Sequence, residues 1–285
     1  MEKTGNGRVL IAGCGYVGAR LARLLAESGA DVFALRRRPG AGPRGVKTVR
    51  ADLADPASLT TLPRFLDAVV FCAGPSSADE RGYRRIFIDG LGNLIESLAA
   101  GARPPRRLIF TSSTAVYGQS NGEWVDETSA TRPHRFNGKV LLEAESLLHD
   151  SSLPGCVMRL GGIYGPGRTR RLDQVRSGQA RLDPGGPHYT NRIHLEDAAR
   201  SLMHLLTLRR VEPAYLGVDD EPAQDNDVLR FLAAELGLPE PPLAGSVSSR
   251  RAGGKRCRNE RLVGSGYRMV YPSYREGYRS MIEGL

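Results

Sequence analysis

Short apolar runs alternate with longer stretches of helical periodicity through the first two-thirds of the chain. The runs predict strands at 8–12, 31–35, 68–72, 107–111 and 155–160, with a shorter one near Lys47–Arg50. Helices fit 17–28, 84–100 and 138–150, and Gly29, Gly101 and Pro154 punctuate the pattern. Such alternation implies a mostly parallel sheet with helices on both faces and ligands at the carboxyl ends of its strands. After Gly161 the pattern breaks. GGIYGPGR and DPGGPHYTNR read as glycine/proline-rich loops around one short helix. His194–Leu208 regains helical periodicity, with Leu195, Leu202, Leu205 and Leu206 on one side. Tyr215–Val218 reads as a late strand and Asp225–Leu236 as a helix, while the last forty residues read as a basic, loop-rich segment.

The first strand and helix enclose the most informative motif. Gly13, Gly15 and Gly18 form G-x-G-x-x-G between an apolar run and a helix. In that setting the first glycine permits a tight turn, the second lets backbone approach a pyrophosphate, and the third allows helix to pack on strand. The free N–H groups opening the helix face the phosphates. The expected fold is therefore α/β: a doubly wound, Rossmann-type parallel sheet with a smaller, discontinuous C-terminal substrate domain. Residues 1–160 and 191–218 are assigned to the dinucleotide-binding domain, and 161–190 and 219–285 to the substrate domain. Asp52 and Leu53, after the short third strand, mark the adenine side of the crevice. After the second strand stand Arg36, Arg37 and Arg38, where an NAD-selective fold usually carries an acid. Guanidinium groups pair with a 2′-phosphate, so NADP(H) is expected over NAD(H).

Composition narrows the class. The chain is 40% apolar, without an apolar run long enough to span a membrane and without a signal-peptide pattern, so a cytoplasmic protein is expected. Cys14, Cys72, Cys156 and Cys257 show no metal-ligand spacing, and neither do the five histidines; no metal is expected. The net charge is +9, and between Arg250 and Arg275 eight Lys/Arg residues face one acid, Glu260. A small anionic ligand, or simply a solvated arginine-rich face, fits that patch better than nucleic acid, for which no recognition motif is present.

The motifs GCGYVG (13–18), FTSSTAVYG (110–118), DET (126–128), MRLGGIYGPGR (158–168) and RIHLEDAAR (192–200) together resemble the extended short-chain dehydrogenase/reductase family, in its nucleotide-sugar epimerase and dehydratase branch. The run GKRCRNERLVGSGYRMVYPSYREGY (254–278) is similar to an atypical subgroup without an assigned substrate. The resemblance implies a dinucleotide pocket of Gly13, Cys14, Gly15, Tyr16, Val17, Gly18, Arg36, Arg37, Asp52, Leu53, Cys72, Ala73, Gly74, Thr111, Ser112 and Lys139. It also implies a serine at Ser113, and a lysine at Lys139 that holds the nicotinamide ribose and lowers the pKa of a tyrosine four residues earlier. A nearby cation favours the phenolate, and hydride transfer needs a matched proton path. That tyrosine is missing. Arg135 stands there, and an arginine stays protonated, so it polarises a carbonyl or holds a phosphate instead.

His134 and Tyr117 are the substitute proton donors to weigh, with water as a third source. Phe136 has no acidic proton, and Tyr164 is better read as packing. Glu123, Asp126 and Glu127 resemble an acid–base stretch of dehydratases without matching it residue for residue; ordinary capping or solvation also accounts for them. Arg135, Arg168, Tyr189 and Arg192 are expected to meet substrate, with Arg170, Arg171 and Asn191 beside them, while His194 and Asp197 orient neighbouring backbone. Two readings stay open. One is an NAD(P)-dependent oxidoreductase or epimerase acting on an anionic or nucleotide-linked carbonyl or sugar. The other is a dinucleotide-binding sensor or interaction protein without catalysis. The helices over 84–100 and 138–150 are compatible with a homodimer, and a monomer is left open.

Overall fold

The computed structural model describes residues 7–37, 42–246 and 254–284. In chain order the elements run β1 (Arg8–Ala12), α1 (Tyr16–Glu27), β2 (Asp31–Arg36), β3 (Val46–Arg50), β4 (Ala68–Phe71), α2 (Glu80–Arg84), α3 (Gly90–Ala99), β5 (Leu108–Ser113), β6 (Asn121–Val125), α4 (Phe136–His149) and β7 (Gly155–Leu160). They continue with β8 (Gly162–Tyr164), α5 (Arg170–Arg176), β9 (Tyr189–Thr190), β10 (Arg192–His194), α6 (Leu195–Thr207), β11 (Ala214–Gly217), β12 (Ala223–Gln224), α7 (Asp225–Glu235), β13 (Gly254–Cys257), α8 (Glu260–Gly264) and α9 (Tyr274–Glu283). Two compact units result: Met1–Val116, Thr131–Arg159 and Ala199–Tyr215 form the first, and Tyr117–Ala130, Leu160–Ala198 and Leu216–Leu285 the second. Residues 117–130 and 191–198, assigned above to the dinucleotide-binding domain, cluster with the second unit.

The first unit is built on a seven-stranded sheet of order β11-β7-β5-β4-β1-β2-β3. The pairs β1–β2, β2–β3, β1–β4 and β4–β5 are all parallel. This is the doubly wound, Rossmann-type sheet that the strand–helix alternation predicts. Leu10, Ile11, Val69, Val70, Leu108 and Ile109 are fully buried, as near-continuous apolar strands covered on both faces require. Strand order reverses between β1 and β4, which makes their carboxyl ends the crevice for a ligand. α1 buries Val17, Leu21, Ala22, Leu24 and Leu25 on one face.

Local departures from the expected elements have physical causes. Where one helix over 84–100 was expected, α2 and α3 flank a π turn at Arg85–Asp89. Phe87 in that turn is buried, 6.5 Å from the Phe71 ring, 6.0 Å from Phe110 and 5.4 Å from Tyr83. α4 starts at Phe136, two residues early, and β5 runs on to Ser113. Beneath α4, Glu145 accepts from Arg159 Nη2 at 2.7 Å and from Ser112 Oγ at 2.6 Å, all three residues being buried. Arg107, also buried, donates to the carbonyls of Leu205 and Leu208 and so caps the end of α6.

The second unit holds short ribbons and helices around an apolar cluster that includes Tyr164, Leu172, Leu182, Val228, Leu232, Tyr274 and Tyr278. β8–β10 and β6–β13 pair parallel and β9–β12 antiparallel. Asp197 is buried and accepts from Tyr267 Oη at 2.7 Å and from the N–H groups of Val270 and Tyr271 at 2.8 and 2.9 Å, pinning that loop. The last forty residues are more regular than expected. They contain β13, α8 and α9, and α9 opens with a capping box between Ser273 and Glu276.

Removing one side of a buried ion pair leaves the other charge without a partner. Glu145→Ala is expected to lower the unfolding free energy by about 3–5 kcal/mol in urea titrations. A loss below about 1 kcal/mol, the range of surface pairs, would refute the role given to this pair.

Candidate functional site

The turn from β1 into α1 is held by two glycines that cannot carry a side chain. Gly13 has φ +99°, and a Cβ there would stand 2.3 Å from Ala73 Cα. A Cβ on Gly18 would stand 2.2 Å from the Gly13 carbonyl oxygen. Gly15 is different. A Cβ on it meets nothing within 4 Å, and the same holds at Gly74. The space beside Gly15 is the close-approach gap a pyrophosphate needs, and α1 begins just after it with no side-chain cap and no acid in its first turn. These residues fit a dinucleotide.

The other expected pocket residues divide by exposure. Tyr16 and Ala73 are half-buried, whereas Val17 belongs to the core. Burial pushes the Cys14 thiol up, offset in part by Arg36 beside it. The Cys72 thiol is pushed up to about 12, chiefly by burial, and Thr111 hydrogen-bonds it. Thr111 Oγ1 also donates to the Phe71 carbonyl at 2.8 Å, tying β5 to β4. Asp52 accepts from Ala54 N–H at 3.0 Å and Arg85 at 3.2 Å, and Leu53 is buried. Ser112 is buried and its hydroxyl is spent on Glu145, which leaves its backbone as the part that can face the expected pocket. Arg37 is exposed, and Arg38 lies outside the described residues.

The first turn of α4 approaches the turn after Ser113 through another glycine. A Cβ on Gly138 would lie 2.3 Å from the Ala115 carbonyl oxygen and 2.6 Å from Pro133 Cβ. The first turn of α4, carrying Lys139, is thereby pressed onto the turn that follows Ser113. Ser113 Oγ accepts from Ala115 N–H at 3.2 Å, which leaves its own proton to donate. Lys139 is exposed.

The proton donors fare differently. Arg135 is the N-cap of α4 in extended conformation (φ −95°, ψ 151°), so the position of the absent tyrosine precedes the helix instead of lying on it. Phe136 packs edge-on against Tyr83, ring centres 5.5 Å apart. His134 is exposed. Tyr117 is buried and donates its phenol proton to the Asp126 carbonyl at 2.8 Å, which removes it as a proton donor. Tyr164 is buried, and burial drives its phenol up, in keeping with packing.

In the second unit Arg168 is exposed, and Tyr189 lies against the Arg256 guanidinium, 4.9 Å from ring centre to Cζ. Arg192 does not lie at the surface. It is buried, donates to Asp225 at 3.3 Å, and faces Asp219, whose carboxyl burial raises well above the usual range. Arg171 also binds Asp225. His194 accepts from Glu196 N–H at 3.2 Å, and burial lowers its pKa to about 4. The expected acidic stretch contains β6: Glu123 accepts from Asn121 N–H at 2.7 Å, Asp126 holds the turn at Thr128 and Ser129, and Glu127 accepts from Leu216 N–H at 2.8 Å. Sequence reasoning missed Lys255, whose Nζ donates to the Tyr117 carbonyl at 3.3 Å. Its only signal was the unassigned GKRC run. Among the described residues no group of three His, Cys, Asp or Glu side chains is placed to hold a metal, and no helix is long and apolar enough to cross a membrane.

Residues 9–211 match the NAD dependent epimerase/dehydratase family. The chain is 30% identical to protein YeeZ of Escherichia coli K12, covering 93% of this chain and 96% of that one. A solved structure from Methylobacillus flagellatus, assigned as an NAD-dependent epimerase/dehydratase, is 35% identical with a TM-score of 0.81 over 98% of both chains. MoeE5, solved with UDP-glucose and NAD, is 25% identical with a TM-score of 0.82 over 97% of this chain and 98% of that one.

The expectation of NADP(H) over NAD(H) is corrected here. NAD is held by MoeE5 and, in more distant folds, by WbmG of Bordetella bronchiseptica and UDP-glucuronic acid 4-epimerase of Bacillus cereus, although human SDR39U1 holds NADPH. Arg36 lies near Cys14 in the glycine loop, where a guanidinium can serve either dinucleotide, so its charge alone is no ground for expecting a 2′-phosphate.

Because a Cβ on Gly15 meets nothing, Gly15→Val is expected to keep the wild-type urea midpoint while weakening NADH binding by about tenfold or more. Unchanged NADH affinity, read from nicotinamide fluorescence, would count against the glycine loop as the pyrophosphate site.

Proposed function

The chain belongs to the NAD dependent epimerase/dehydratase family, and from that premise we propose that it is a nicotinamide-dinucleotide-dependent oxidoreductase reducing or oxidising a sugar-like, anionic or nucleotide-linked carbonyl compound. The observation that carries the reading is the pairing of an open gap at Gly15 with the close approach of Gly138 to Ala115, which sets Lys139 beside the Ser113 turn. The substrate class draws on MoeE5, whose structure holds UDP-glucose.

A bound dinucleotide supplies hydride chemistry at its nicotinamide C4. The chain's own residues do the rest. Ser113 donates its free hydroxyl proton in a hydrogen bond to the reacting oxygen, stabilising the charge that develops there. Lys139 holds the nicotinamide ribose through its ammonium. The glycine loop and the α1 N-terminus receive the pyrophosphate. Arg135 offers no proton, and the Tyr117 phenol is engaged, so proton exchange falls to water or to His134. Simple carbonyl reduction tolerates that arrangement better than epimerisation, which must first deprotonate a hydroxyl.

The missing phenol at position 135 also favours a second reading, dinucleotide binding without turnover. The two part in one experiment: NADH titration followed by turnover on a panel of nucleotide-linked and phosphorylated carbonyl compounds. The proposed enzyme binds NADH saturably and reduces a panel member, and Ser113→Ala lowers kcat by about 10²-fold or more. Binding without turnover selects the second reading, and absence of NADH binding sinks both.

A further inference from the structure

The sheet of the first unit has a second concave site, at the pole away from the glycine loop. A cleft of about 620 Å³ opens between the amino ends of β1, β4 and β5 and the carboxyl ends of α1 and α6, all within that unit. Val9 and Leu25 are buried in its wall, whereas Met203, Leu206 and Leu208 are half-buried and still present apolar surface. Arg106, Arg107 and Arg209 line it too, against one acid among its described residues, Asp67. These charges are not equally committed. Asp67 spends both carboxylate oxygens, accepting from Arg8 N–H at 2.8 Å and from Arg103 at 3.0 Å. The buried Arg107 is occupied by the carbonyls of Leu205 and Leu208. Arg106 and Arg209 are exposed, and neither holds an acid among the described residues.

We propose that this cleft binds a small carboxylate carried on an apolar body, such as a medium-chain acyl acid. A ligand held there is not the reacting compound: β1 has five residues, so about 16 Å of strand separates the cleft from the Gly13 turn.

Charge, apolar surface and size support the assignment. Two uncommitted guanidinium groups lining one cleft offer forks that take a carboxylate through parallel hydrogen bonds. Arg106 also stands near Arg107, whose pKa burial lowers and this like charge lowers further, so an anion relieves a repulsion already present. Helix carbonyl ends would oppose an anion, but here they are covered. Arg107 takes those of α6, and the N–H groups of Ser28, Gly29 and Ala30 take carbonyls in the last turn of α1. The apolar side chains beside the arginines suit an acyl chain and disfavour a heavily hydrated phosphate dianion. The volume falls in the range of small-molecule pockets, and the concave shape differs from the broad face that a protein partner covers.

Calorimetric titration of the full chain with hexanoate, octanoate and decanoate tests the site, with decanol, acetate and inorganic phosphate as comparisons. A single decanoate is expected to bind per chain, with affinity rising about two- to fourfold per added methylene along the series. Acetate, phosphate and decanol are expected to bind at least about tenfold more weakly than decanoate. Two variants are compared: Arg106→Gln with Arg209→Gln, at exposed positions, and Leu206→Glu, which sets an acid in the cleft. Each is expected to keep the wild-type urea midpoint and to weaken decanoate at least about tenfold. Hydrogen exchange on wild type needs no variant: decanoate is expected to slow exchange within 25–30 and 203–209, the α1 and α6 walls of the cleft. Equal affinity for decanol, tighter binding of phosphate, unchanged affinity in the double arginine variant, or unslowed exchange at both walls overturns the site. Saturating NADH is expected to leave decanoate bound, whereas displacement in proportion to NADH occupancy puts the acid in the crevice and also overturns the site. Calorimetry and exchange are read without nucleotide, so a failure of the cofactor reading leaves their outcome intact.

Discussion

With a Cβ, Gly13 would overlap Ala73 and Gly18 would overlap the Gly13 carbonyl, and the first unit is arranged around these two prohibitions. Because neither side chain exists, the turn after β1 lies flat against the chain leaving β4, and α1 sits low on the sheet. Strand order reverses at the same point, so the tightest packing in the loop and the topological crevice coincide. Gly15 sits between the two locked residues with nothing near it. Rigid contact on either side thus holds open the gap that a ligand backbone needs. Gly138 repeats the principle at α4, where close approach to Ala115 positions Lys139.

Polar groups buried beneath these surfaces are organised as closed sets. Glu145 serves Arg159 and Ser112 together, so one carboxylate fixes α4 to β5 and β7. In the second unit Asp197 satisfies a phenol and two backbone N–H groups. Protons are spent in such contacts: the Ser112 hydroxyl goes to Glu145 and the Tyr117 phenol to the Asp126 carbonyl, whereas Ser113 Oγ accepts from Ala115 N–H.

Much of this was legible in the chain. The strands of the main sheet are apolar runs buried on both faces, and β1, β2 and β7 fall close to their expected limits. The glycine loop was readable because each glycine answers a steric demand that spacing alone reveals. The second unit was harder. β6 and β13 are five- and four-residue strands joined across more than a hundred residues, too short for alternation to speak. α9 did leave a local signal, the Ser273-x-x-Glu276 box, hidden within a segment dominated by charge. The burial of Arg192 had no signal in the sequence, since its partner Asp225 lies 33 residues further on. The arginines after β2 misled for a different reason: charge type is visible in sequence, but the ligand that a guanidinium meets is not.

The position of β11 has a bearing on how the chain is made. β11 covers one side of β7, yet it is encoded at 214–217, long after β7 at 155–160. During synthesis from the amino terminus, β7 is available while its outer neighbour is still missing. Its Cys156, Val157, Met158 and Leu160 are apolar and end up buried, so the growing chain carries a sticky, unpaired border. A nascent chain stalled before Ala214 is therefore a template for strand addition by other chains. The hazard ends only when the last strand of the sheet emerges and shuts that border.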